Sequence, residues 1–258
     1  MSMIQPGEMD LTLVAYYGDK PSAIAELVTG AQNELTSNLR DAFEPYPLFQ
    51  VHGTIIGLEG TRAGDRICNT NYLQRRQQLR PLNLEAVFQI LKDQSLLPFF
   101  IRIGGYKDGE LYPFTSRGLH PFLRSFSIQG DVAVAMGWPC DGERYPLALD
   151  RLRRVFNEAN VLHKYHVSSN DIDNDFFFVL GRINRSKTSE LTIQQTQEQM
   201  RTFLAIHDSL TIPLDRQHLA IVAYVDPKLP RETSRVYSLD EAERKIDEIK
   251  SLYRDVAA

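Results

Sequence analysis

The chain holds two cysteines among its 258 residues, Cys68 and Cys140. They stand too far apart in sequence to share a metal-ligand spacing, which excludes a disulfide-built scaffold and a zinc ribbon. Both are expected to be reduced thiols of a cytoplasmic protein. Long apolar runs are absent too. No stretch approaches the roughly 20 residues that span a bilayer, so no membrane association is expected. The opening MSMIQPGEMD has no charged segment leading into an apolar one, and no signal peptide is expected. There is no excess of positive charge: the net charge is −4, against a strongly electrostatic nucleic-acid binder.

Several chemical signatures are missing as well. No serine sits in a Gly-x-Ser-x-Gly elbow. Gly57-x-x-Gly60 is too short for a phosphate loop and lacks its lysine, and Gly104-Gly105 opens no dinucleotide fingerprint. Asp171, Asp173 and Asp175 alternate as in a calcium loop, but Phe176 and Arg182 occupy the positions where that loop needs Gly and Glu. No metal site and no cofactor are expected.

What is present is a balanced globular composition, 43% hydrophobic and 24% charged, on a chain long enough for one large domain. Residues 11–17 read as a strand. Asp19 and Pro21 then read as the cap and first-turn proline of a helix whose buried stripe is Ile24, Leu27, Val28, Ala31 and Leu35. The run FQVHGTIIGLEG (49–60) alternates as a strand. Residues 61–80 are polar and basic and read as a surface excursion, and 107–130 as a second insertion. Between them lie a short helix around 84–91 and the strand 99–103. Residues 132–136 form a further strand, and a helix presents Leu149, Leu152, Val155, Phe156 and Ala159. Arg151, Arg153 and Arg154 are expected on the wet face of that helix. Strand 176–182, helix 192–206 and strands 210–214 and 219–225 follow. The succession strand, helix, strand, strand thus occurs twice, once from His52 and once from Phe176. Residues 238–254 read as a C-terminal helix with a capping box at Ser238 and Glu241.

His52-Gly53-Thr54 carries the clearest chemistry. Side chains two apart on a strand share a face, so an imidazole and a hydroxyl project together from one sheet surface. Such a pair can move a proton and hold a phosphate oxygen. With this order of elements the chain resembles the two-histidine (2H) phosphoesterase superfamily, which includes 2′-5′ RNA-ligase-like proteins and cyclic phosphodiesterases. The first motif is His52-Gly53-Thr54-Ile55. The second motif strand matches Phe176-Phe177-Phe178-Val179-Leu180-Gly181-Arg182, whose Leu-Gly-Arg ending fits while Phe177 and Val179 stand where the family has histidine and threonine.

The resemblance covers residues 11–225. It implies an α+β fold, a single bilobal domain over 1–258, with two pseudosymmetric lobes of antiparallel sheet forming a shared cleft and helices packed outside. It implies metal-free acid–base chemistry in which His52 transfers a proton and Thr54 holds the phosphate, with Arg182 at the cleft mouth. The ligand class it implies is a small cyclic or 2′-5′ phosphodiester, a nucleotide or an RNA end. His166 with Ser168, and His218, are alternatives for the missing second partner. With Phe177 and Val179 unable to transfer protons, the rival expectation is a catalytically inactive binding or protein-interaction module. Arg185 and Lys187 are expected in a solvated basic loop, Asp215 and Asp226 as solvated turn carboxylates, and Tyr16 and Trp138 as packing residues.

Overall fold

The computed structural model describes residues 7–207 and 209–255. In chain order it runs β1 (Asp10–Ala15), α1 (Ser22–Leu39), β2 (Phe43–Pro45), β3 (Gly53–Gly57), β4 (Gly60–Ala63), β5 (Arg66–Asn69), α2 (Thr70–Arg76), α3 (Leu84–Ile90) and β6 (Phe99–Ile103). It continues with α4 (Pro121–Ser125), β7 (Phe126–Gln129), β8 (Val132–Cys140), α5 (Ala148–Val155), β9 (Phe176–Ile183), α6 (Glu190–Ile206), β10 (Leu210–Leu214) and β11 (Leu219–Tyr224). The last elements are β12 (Ser234–Ser238), α7 (Leu239–Arg244), α8 (Ile246–Leu252) and β13 (Arg254–Asp255).

The fold is α+β. A ten-stranded sheet runs β10-β6-β8-β9-β3-β1-β11-β12, with β2 added beside β9 and β7 beside β8. Each of its ladders is antiparallel. The strands of the two sequence halves interleave: β6 and β8 lie on the β9 side, and β11 returns to pair with β1. The strand carrying Thr54 and the strand carrying Phe177 are therefore neighbours in mid-sheet.

The two faces of this sheet differ. One is covered by the main apolar core, in which α1 buries Ile24, Leu27, Val28, Ala31 and Leu35, the stripe its spacing predicts. The other carries two smaller apolar patches, Val14 with Val222, Tyr224 and Leu229, and Tyr106 with Val134, Met136 and Trp138. Cross-strand partners share a face, and Val14 opposes Thr54 while Met136 opposes Phe177. Both patches thus flank the motif strands on the face that Thr54 and Phe177 share.

Three elements differ from the sequence expectation. The first helix begins at Ser22 with Pro21 in the cap position and no side-chain cap, so Asp19 does not cap it. The 61–80 excursion is ordered: β4, β5 and α2 occupy it, and β4 pairs in parallel with β13 in a separate three-stranded sheet. The 238–254 segment is two short helices meeting at Lys245, capped as expected by Ser238, whose hydroxyl accepts from Glu241 N at 3.2 Å. Both cysteines are buried and unbridged. Among the described residues no helix is long and apolar enough to cross a membrane.

Candidate functional site

Gly53 of β3 lies opposite Phe178 of β9, which sets the register between the two motif strands. Alternation then places Thr54 beside Phe177 and His52 beside Val179 on the far side of both strands. The near side is packed tight. A Cβ on Gly53 would stand 2.2 Å from Cζ of Phe176, so only glycine lets that ring pass beneath the strand. Phe176 and Phe178 are buried in the core at 0% and 1% exposure, whereas Phe177 is partly exposed on the other face. The triple phenylalanine therefore does two jobs: two rings fill the core and the middle one faces outward.

His52, Thr54, Phe177, Val179 and Arg182 line a single cleft of about 450 Å³. One wall offers an imidazole and a hydroxyl; the other offers an aromatic ring and a valine. Along the rim, Lys164, Arg182 and Lys228 face Asp131 and Asp226. Arg182 is joined to Asp131 by an ion pair. Lys164 and Lys228 are exposed.

The imidazole of His52 is held at one nitrogen. Its Nδ1 lies 2.7 Å from the Gln50 carbonyl. A carbonyl can only accept, so Nδ1 carries the hydrogen and Nε2 keeps a lone pair. Burial pushes the imidazole down to about 4; the Gln50 carbonyl opposes this and the Lys20 ammonium adds to it. His52 is thus neutral near pH 7 and accepts a proton at Nε2. Gln50 is itself buried and donates from Nε2 to the Lys228 carbonyl at 2.6 Å, tying the His52 support to the cleft rim. The edge of the Tyr17 ring packs against the imidazole at 5.8 Å.

Behind Thr54 lies a buried ionic network. Arg153 is fully buried and donates to the carbonyls of Thr54 (3.0 Å), Ile55 (2.8 Å), Asp173 (3.0 Å) and Asp175 (3.1 Å) and to Asp173 Oδ2 (3.0 Å). Asp173 also accepts from His163 Nε2 at 2.6 Å. Burial works against its charge, but the His163 hydrogen bond and the Arg153 guanidinium hold Asp173 well below the usual carboxylate range. Burial pushes His163 down to about 4, against the pull of Asp173. Asp150, also buried, accepts from His166 Nε2 (2.9 Å), Arg154 Nε (2.6 Å) and the Asp173 amide (2.8 Å). Asp175 completes the network, accepting from Trp138 Nε1 at 2.7 Å and Arg124 at 2.8 Å.

The alternatives for a second catalytic partner lie elsewhere. His166 is 2% exposed and belongs to the Asp150 pair, and Ser168 sits in the exposed turn that follows, its amide donating to Asp171 at 2.6 Å. His218 stacks on Tyr16 at 5.0 Å and pairs with Asp215 at 3.0 Å. None of the three lines the cleft. Arg153 is not on a wet helix face, because the 171–175 segment covers that side of α5 with Asp173 and Asp175. Tyr16 and Trp138 pack in the interior, as expected. Sequence reasoning missed Lys164 and Tyr46, which also line the cleft, and the buried His163. The available signal was a pair of histidines three apart, just upstream of three alternating aspartates.

No family model matches the sequence, and no curated protein matches it. Among solved structures, the chain is similar to the crystal structure of TT0787 of Thermus thermophilus. That likeness has 15% identity and a TM-score of 0.42, covering 89% of this chain and 94% of the other. It is also similar to the conserved protein of unknown function ATU0111 from Agrobacterium tumefaciens, at 13% identity and a TM-score of 0.43, covering 88% of this chain and 87% of that one.

Proposed function

We propose that the cleft binds a small cyclic or 2′-5′ phosphodiester, such as a 2′,3′-cyclic nucleotide or an RNA end, in the manner of a 2H phosphoesterase whose second motif has been lost. In this reading β3 with β1, β11 and β12 forms one lobe, β9 with β8, β6 and β10 forms the other, and the ligand lies across the junction. One observation carries it: His52 and Thr54 face Phe177 and Val179 across a single cleft on adjacent strands. The Thr54 hydroxyl donates to a non-bridging phosphate oxygen, and His52, its Nδ1 held by the Gln50 carbonyl, faces the ligand with Nε2 and donates from it once the bound anion favours the imidazolium. Phe177 gives a base a face to stack on, and Lys164 and Lys228 attract the anion. A cytoplasmic location belongs to the same reading.

A second reading, a catalytically inactive binding or protein-interaction module, is favoured by the chemistry of Phe177 and Val179, neither of which transfers a proton. It predicts that a ligand binds without being turned over.

The direct test is calorimetric titration with 2′,3′-cyclic AMP. Hydrogen bonds to charged groups contribute about 1.5–3 kcal/mol, so Thr54→Val, which removes the hydroxyl and keeps the shape, is expected to weaken binding about tenfold or more. Base stacking on an aromatic ring contributes about 1–3 kcal/mol, so Phe177→Ala is expected to weaken it by a similar factor. Wild-type affinity in both variants contradicts the placement of the ligand.

A further inference from the structure

Beside Thr54 the cleft adjoins a small recess of about 30 Å³, roomy enough for a water and too small for a nucleotide. Thr54, Lys164 and Phe177 line both spaces. The rest of the recess wall includes Glu59, Arg153 and His163. His163 is 4% exposed and bonded at Nε2 to Asp173, while its Nδ1 has no hydrogen-bond partner among the described residues. An ionised carboxylate only accepts, so Nε2 carries the hydrogen and Nδ1 presents a lone pair. Buried polar atoms seldom go unpartnered. A histidine whose tautomer and orientation are fixed by a buried aspartate is prepared to take a proton at its other nitrogen.

We propose that His163 is the proton-accepting partner of His52 in this cleft, holding at Nδ1 a water molecule that attacks the bound phosphodiester. The inference rests on the phosphodiester reading of the cleft. With a phosphate oxygen on the Thr54 hydroxyl, the recess water lies next to phosphorus. Its O–H proton passes to His163 Nδ1 as its oxygen bonds to phosphorus. The bond from phosphorus to the sugar 2′ oxygen breaks, and that oxygen takes a proton from His52 Nε2. His52 holds that proton once the anionic phosphate is beside it, because an adjacent negative charge favours the imidazolium. The net transfer is one proton from His52 to His163, reset through solvent. Paired acid–base work is thereby recovered although Phe177 stands in the second motif. Glu59 is the other group on the recess able to take a proton, and the Tyr224 hydroxyl already lies 3.1 Å from its Oε1.

The test uses the full chain and 2′,3′-cyclic AMP in excess chelator, with affinity read by calorimetry and turnover by phosphorus NMR. His163→Gln keeps a donor near the Nε2 position for Asp173 and removes the Nδ1 acceptor. The expected result is binding within threefold of wild type and turnover lower by about 100-fold or more. Wild-type turnover in His163→Gln overturns the assignment and leaves the binding site standing. So does a wild type that binds the nucleotide and never hydrolyses it. A wild type that neither binds nor hydrolyses overturns both. Independently of any variant's folding, the nitrogen-15 spectrum of wild-type His163 is expected to show Nδ1 unprotonated at pH 7; a protonated Nδ1 overturns the proposal.

Discussion

At the residue scale, Arg153 holds the back of the site in place. One guanidinium reaches two carbonyls of β3, two of the 173–175 segment and the Asp173 carboxylate, a spread that suits its planar fork. Removing one partner of a buried pair leaves the other charge uncompensated, at a cost of about 3–5 kcal/mol. Arg153→Ala is therefore expected to destabilise by that amount, measured by urea denaturation. Arg153→Lys is expected to recover only part of it, because a lysine has fewer donors and no fork. A loss below about 1 kcal/mol in Arg153→Ala contradicts this role. The residue also shows what a helix periodicity leaves out. Spacing along α5 assigns a face, but what covers that face is the 171–175 segment, set by the whole chain.

At the element scale, the pairing of β3 with β9 is what makes a site from two distant segments. In it the Gly53 backbone lies over the Phe176 ring. A methyl group there forces a buried ring off its position, and such overpacking costs about 1–3 kcal/mol. Gly53→Ala is expected to lower stability by that amount and, by disturbing the register, to displace Thr54 from Phe177. Unchanged stability with an unchanged cleft contradicts the packing argument.

Much of this element was legible in the sequence. The alternation in FQVHGTIIGLEG gave both the strand and the common face of His52 and Thr54, and the Leu-Gly-Arg ending located the partner strand and Arg182. The split of the phenylalanines follows from the same period of two, with Phe176 and Phe178 inward and Phe177 outward. His163 was only hinted at by its spacing from His166 and from the alternating aspartates, since its bond to Asp173 and its place on the recess beside Thr54 are set by the folded chain. His166 and His218 were singled out by tripeptide form and strand position. Their partners, Asp150 and Asp215, are what place them outside the cleft.

At the scale of the whole molecule, the buried histidines and aspartates set the acid response. His52 and His163 are held near 4 in the fold, against a normal value of 6.5. Between those values the unfolded chain binds more protons than the folded one, so stability is complete above about pH 6.5 and declines as pH falls toward 4. Asp173, held below its normal 3.8, adds a stabilisation that is present above that value and is lost as pH falls further. Urea midpoints from pH 7.5 downward are expected to fall in this order, and His163→Gln to flatten the upper part of the decline. A midpoint constant down to pH 4 contradicts the neutral state of both imidazoles.

In the proposed reading His52 and Thr54 hold a phosphodiester in the cleft facing Phe177, and the ring of His52 is the most direct reporter of that ligand. The decisive measurement is a nitrogen-15 and proton NMR titration of the imidazoles with 2′,3′-cyclic AMP, repeated across pH. The expected result is saturable shifts at His52, absent from His207 on the exposed end of α6, and a His52 pKa that rises from about 4 when the anion binds. A His52 signal unmoved by the nucleotide, at any pH between 4 and 8, contradicts it.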